Sequence, residues 1–181
     1  MNECETYEYV IAAKKTGKAR LFRGFLILAY ILFAVGMLLL AVVSRLGAPM
    51  VALTPFGLAL LIFLTWRYTK VEYEMSFTSG EVTVSKIYGG RSRREMVTFR
   101  LRDCTLIAPM SNRLNVEKAE LFKPDVSYDA RSSEDAEDAY VVTFESEDGK
   151  KGLVCFEATQ KALRICHFYN ASATTLSKVS R

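Results

Sequence analysis

The chain has 181 residues, half of them hydrophobic, with 24 basic and 20 acidic side chains and a net charge of +4. That length holds one ordinary domain plus a membrane anchor, and the apolar content is high but within the globular range, with the apolar residues crowded into the first third. Its cysteines (Cys4, Cys104, Cys155 and Cys166) include no C-x-x-C pair and there is a single histidine, which argues against a zinc centre and for reduced thiols.

Charge is unevenly spread. Residues 1–23 carry five basic and three acidic groups, and residues 67–102 carry eight and four. Residues 103–149 reverse the balance with four basic and twelve acidic groups, and residues 150–181 return to six and one. Basic stretches beside a membrane favour anionic lipid.

In chain order, residues 1–20 form an N-terminal segment, either a short interfacial helix or a frayed tail. Residues 21–69 form a transmembrane hairpin, with spans at about 22–44 and 48–68. Gly24–Val43 is twenty residues without a charge, and Leu46–Trp66 is a second uncharged run of twenty-one. At ~1.5 Å per residue each run reaches roughly 30 Å, the thickness of a bilayer core. A signal peptide has a shorter apolar region, and a buried soluble helix pair keeps a polar outer face, which neither run has. Pro49 lies near the start of the second helix and Pro55 is a tolerated kink. Lys14, Lys15, Lys18, Arg20 and Arg23 flank the first span and Arg67 and Lys70 the second, against Arg45 alone in the connection. The positive-inside rule then makes both termini cytoplasmic. Arg20, Arg23, Trp66, Arg67, Tyr68 and Lys70 are the expected anchors at that interface. Neither span carries an ionisable residue inside it, which disfavours a transporter or channel.

From Val71 the period falls to two. Val71, Tyr73, Met75 and Phe77 alternate with polar residues in a half-buried strand, and Ser79-Gly80 turns it. Strands follow at Glu81–Tyr88, Arg94–Leu101 and Cys104–Ala108. Ser111–Leu121 suits a helical turn, Val126–Tyr128 a short strand and Asp129–Asp138 a mobile acidic loop. Ala139–Glu145 and Lys151–Glu157 flank the hairpin signal Asp148-Gly149. Thr159–Asn170 has apolar residues at helical spacing and closes the domain (residues 70–170). Residues 171–181 read as a flexible tail.

This order predicts an α+β membrane protein: a two-helix hairpin followed by an antiparallel β-barrel or strongly bent sheet with a C-terminal capping helix. It looks like the bacterial pleckstrin-homology-like (PH-like) fold. Ala13-Lys14-Lys15-Thr16-Gly17-Lys18-Ala19, Tyr73–Glu81, Lys86-Ile87-Tyr88-Gly89, Ile107-Ala108-Pro109 and Phe156-Glu157-Ala158 carry a narrower resemblance, to a family of uncharacterised small bacterial membrane proteins. The resemblance covers nearly the whole chain and is weakest at 111–138. It implies a bacterial cell membrane location and carries no catalytic residue with it.

Catalysis needs a nucleophile beside a base. His167 neighbours Cys166, but adjacent helical residues point apart; a partner in Cys104 or Cys155 stays open. The acidic run at 129–138 lacks the glycine and ligand offsets of a calcium loop. No cofactor or metal is expected, and nucleic acid fits poorly. The best candidate is the basic turn of Lys86, Arg91, Arg93 and Arg94, read either as a contact with lipid headgroups or as a charged hairpin that only keeps the domain soluble. A strand of eight residues at ~3.3 Å each leaves the bilayer by roughly 26 Å and the next returns, so this turn comes back toward lipid headgroups. The expected function is a non-enzymatic membrane-anchored module that binds a protein partner, anionic lipid or both. The alternative is a membrane enzyme of envelope metabolism, or its accessory subunit.

Overall fold

A computed structural model describes residues 6–14, 17–44, 47–146 and 148–180. The chain divides into two compact units: residues 14–71 with 88–90, and the residues up to 13 with 72–87 and 91 onward.

The first unit is helical. Helix α1 (Lys18–Val43) and helix α2 (Gly47–Thr65) form a hairpin, and a 3-10 turn at Trp66–Thr69 ends it. No described residue of α2 is buried, and leucine, isoleucine, valine and phenylalanine are exposed along both helices. Pro49 sits in the first turn of α2 and Pro55 inside it. The helices are tied by a polar pair: Thr65 donates to the Leu61 carbonyl (2.6 Å) and its Oγ1 also meets the Tyr30 hydroxyl (2.5 Å). Arg45 and Leu46, in the connection, lie outside the described residues.

The second unit has the α+β arrangement expected, but of the expected barrel or bent sheet it shows no closed barrel: among the described residues there are two four-stranded sheets. The first runs in the order β1 (Tyr7–Ala12), β2 (Val71–Thr78), β3 (Glu81–Tyr88), β4 (Ser92–Arg100). The second runs β5 (Cys104–Pro109), β7 (Ala139–Glu145), β8 (Lys151–Glu157), β6 (Val126–Ala130). Nor is it wholly antiparallel, because β6 lies parallel to β8. Helix α3 (Arg113–Leu121) precedes β6, and helix α4 (Gln160–Tyr169) closes the unit, capped by the Thr159 hydroxyl.

Where an interfacial helix or frayed tail was expected, the N-terminal segment supplies a strand. Residues Tyr7 to Ala12 pair antiparallel with Phe77 to Glu72. The alternation Tyr7, Tyr9, Ile11 is a strand pattern, but its partner lies beyond the hairpin. The Tyr9 ring stacks on Phe77 (6.2 Å) and its hydroxyl donates to the Glu157 carbonyl (2.8 Å). The Tyr7 hydroxyl bonds Thr159 Oγ1 (2.9 Å), tying the strand to the start of α4.

One core joins the two sheets. Met75, Phe77, Val82, Val84 and Phe99 meet Tyr140, Val142, Phe144, Val154 and Phe156, with Ala162, Leu163 and Cys166 of α4. Strand β7 is buried on both faces, because Val141 and Cys155 turn outward against Ala119 of α3. Gly80, at φ +84°, is required twice over: a Cβ there would meet the Tyr169 ring at 2.7 Å.

The acidic loop is pinned at both ends. Arg131 pairs with Asp129 (2.8 Å), which holds the Asp129 carboxyl below its usual range despite partial burial. The Ser132 amide donates to Glu157 Oε1 (2.6 Å), and Asp138 takes the Ser180 amide (3.0 Å). In place of a flexible tail, residues 173–175 lie along the edge of β5, and the chain beyond them is held by Tyr140 and Asp138. Ile107 donates to the Ala173 carbonyl and Thr175 donates to the Ile107 carbonyl, both at 2.8 Å, and Val179 is buried. The Tyr140 hydroxyl bonds Ser177 Oγ (2.5 Å) and accepts from the Ser177 amide (3.2 Å). Tyr140→Phe should cost about 1–3 kcal/mol, since the tail's polar groups lose their partner. Hydrogen exchange should show that loss as faster exchange confined to residues 173–180, with β7 unchanged.

Candidate membrane-facing site

Six residues were expected at the membrane interface: Arg20, Arg23, Trp66, Arg67, Tyr68 and Lys70. Arg20, Trp66, Arg67, Tyr68 and Lys70 are exposed, and Arg23 is half-buried. Trp66, Arg67 and Tyr68 cluster at the end of α2 because the 3-10 turn Trp66–Thr69 winds them tightly, and Lys70 follows as its extended C-cap. Arg23 reaches across from α1 and donates through Nη2 to the Thr69 carbonyl (2.7 Å). A cation on that terminal carbonyl suits the negative end of a helix. Arg67 donates to the Tyr68 hydroxyl (2.8 Å) and lies 4.9 Å over the Tyr68 ring.

The turn between β3 and β4 belongs to the same collar. The Gly89 amide donates to the Lys70 carbonyl (2.8 Å), and the Tyr88 ring meets Tyr68 edge-on at 5.7 Å. Gly89 and Gly90 both have positive φ, +59° and +68°, which suits a tight hairpin turn. A Cβ on Gly89 would lie 2.9 Å from Arg67 Cβ, so glycine is needed for this approach. Arg91 follows directly in the chain.

The four arms of the basic turn are not equivalent. Arg93 Nε sits 2.9 Å from Glu74 Oε2, and Glu74 is 13% exposed, so much of this charge is answered inside the domain. Lys86 Nζ lies 5.8 Å over the Tyr73 ring. Arg91 and Arg94 are exposed. Sequence reasoning missed Glu74 because β3 lies between it and Arg93, and only the sheet order brings them together.

Burial governs the thiols. It pushes Cys104 well above the usual thiol range, Cys155 upward and Cys166 up to about 12. Thiols so buried stay protonated and are poor nucleophiles. His167 is exposed on α4 while Cys166 faces the core, as their adjacency requires. Among the described residues, no three His, Cys, Asp or Glu side chains gather to hold a metal. Cys4 lies outside the described residues.

No curated protein and no solved structure matches the chain significantly. A family of bacterial PH-like domains of unknown function (DUF6106) matches residues 5–174. That match takes in β1, the hairpin, both sheets and α4, and the chain belongs to this bacterial PH-like domain family.

Proposed function

We propose that the protein is a non-enzymatic module of the bacterial cell membrane. Its hairpin spans the bilayer twice, both termini are cytoplasmic, and its PH-like domain works at the inner leaflet through protein contacts and anionic lipid. The observation that carries this reading is the polar collar at one end of an otherwise apolar hairpin. Arg23, Trp66, Arg67, Tyr68, Lys70 and the Tyr88–Gly90 turn gather there. Two candidate spans of 24 and 23 residues end at this collar or start from it. Sheet pairing adds a constraint. Ala12 stands opposite Glu72 on neighbouring strands, so the chain leaves the domain and returns to it at adjacent points. A hairpin that crosses twice returns its ends to one side, as this closure demands.

Trp66 is the only tryptophan, so it reports depth directly. In nanodiscs, lipids brominated near the headgroup should quench it more than lipids brominated near the chain terminus. Equal or deeper quenching would remove the anchor from the interface.

Lipid contact is tested by replacing residues 14–70 with a short glycine-serine loop and sedimenting the variant with vesicles. Arg91→Ala with Arg94→Ala should weaken binding to anionic vesicles by about thirtyfold, at ~1 kcal/mol per cation. Arg93→Ala should change it less, because Glu74 already answers that charge. A correctly folded variant that ignores anionic vesicles would end the lipid half of this reading.

A further inference from the structure

Because the barrel does not close, the seam between the two sheets has an edge. β4 is the outermost strand of its sheet, and its outward N–H and C=O groups face no strand among the described residues. Nine residues of such edge are a template for another strand. At the far end of β4 the seam widens into a cavity of about 200 Å³. One wall is aromatic: Phe99 and Phe144, stacked at 4.7 Å, both line it. Glu81, Asp103, Glu145 and Asp148 also line it, against one guanidinium, Arg100. At the near end of the strand stands the exposed Arg94.

Edge and cavity are independent features that fit one kind of occupant. We propose that an extended segment of a partner protein adds to β4 as a further strand and places a lysine or arginine side chain in the cavity. The chain's outward amides take the main-chain hydrogen bonds. The cation meets four carboxylates, and its aliphatic stem lies on the aromatic wall. Arg94 and Phe99 are five positions apart, about 17 Å along a strand. The occupant therefore carries a carboxylate about five residues from its cation, facing Arg94. This gives the module's protein contact a chemical class. It rests on the interaction half of the proposed function and not on lipid contact.

The test uses the full chain in neutral-lipid nanodiscs, so that the outcome is separate from anionic lipid binding. The probes are two fluorescent threonine-rich nine-residue peptides with lysine and glutamate five positions apart, one for each chain direction. One of them should bind saturably. Glu145→Lys with Asp148→Lys should weaken it at least about tenfold, Arg94→Glu should weaken it as well, and N-methylation of every peptide amide should abolish it. An unchanged melting temperature shows that the variants fold. Absence of saturable binding by either peptide up to about 1 mM overturns the proposal. So does binding that survives N-methylation or the charge reversal. Dimerisation of the chain alone, lost on the same charge reversal, assigns the seam to a second copy and also overturns it.

Discussion

Removal of residues 1–12 should leave the β-domain unfolded although it lies outside the sequence that follows the hairpin. Strand β1 covers Phe77 with two tyrosine rings, buries Ile11 and bonds both Glu157 and Thr159. Burying a large side chain contributes about 1.5–3 kcal/mol, and three such side chains with their ladder bonds rival a whole domain's stability of about 5–15 kcal/mol. A fragment starting at residue 71 should therefore show no cooperative melt, whereas residues 6–13 joined to 71–181 by a short loop should melt as one unit. A cooperative melt of the bare fragment would show that β1 is dispensable. Tyr9→Ala alone should cost about 3–5 kcal/mol, and Tyr9→Phe about 1 kcal/mol.

Tyr9 also gives a pH signature. Burial, then the nearby Cys166, Tyr7 and Glu157, raise its hydroxyl well above the ordinary value. A raised pKa means that the fold holds the neutral phenol. Its contribution is full below the unfolded tyrosine value of about 10 and is lost as pH rises beyond it. Denaturation midpoints measured between neutral pH and pH 11 should fall more steeply in the parent than in Tyr9→Phe. Equal slopes would mean that Tyr9 is not the group responsible.

The second large effect is expected at Gly152. It pairs directly with Phe144, and a Cβ there would lie 2.1 Å from Phe144 Cζ. The ring tip has little room to retreat, because its face is stacked on Phe99. Gly152→Ala should destabilise by about 3 kcal/mol, the upper part of the usual range for overpacking. In the hairpin-replaced domain that lowers the melting temperature by more than about 10 °C. Phe144→Leu should relieve much of the clash, so the double variant should be more stable than the two single losses imply. Strict additivity would show that the ring does move aside, and the Phe99–Phe144 wall of the seam would then be soft.

The candidate site was legible in its composition and not in its connections. Arg67, Tyr68 and Lys70 stand beside the second apolar run in the sequence, since charge and aromatic rings at the end of an apolar run are local features. Strand lengths predict a returning turn, and Gly89 packs against Arg67 and Lys70; the turn's contact with lipid is what the vesicle experiment decides. What could not be read was that Arg93 already has Glu74, or that Arg23 spans the helices to Thr69. Those pairs join residues 19 and 46 positions apart, and nothing in a local period marks them.

The same division holds for the fold. Sequence alone determined the two apolar helices, the strands from Val71 to Tyr88, the β7–β8 hairpin and α4, because each follows from a repeat of 2 or 3.6 residues closed by its own turn or cap. Tertiary structure decided that Tyr7–Ala12 pairs with β2, that β6 runs parallel to β8, that residues 173–175 lie on the edge of β5, and that among the described residues the sheets stop short of a barrel. Each of these is a pairing between distant segments. Its free energy comes from surfaces that exist only once the rest of the domain has assembled, so even where a segment carries a strand pattern of its own, as Tyr7, Tyr9 and Ile11 do, that pattern does not name the partner or the direction of pairing.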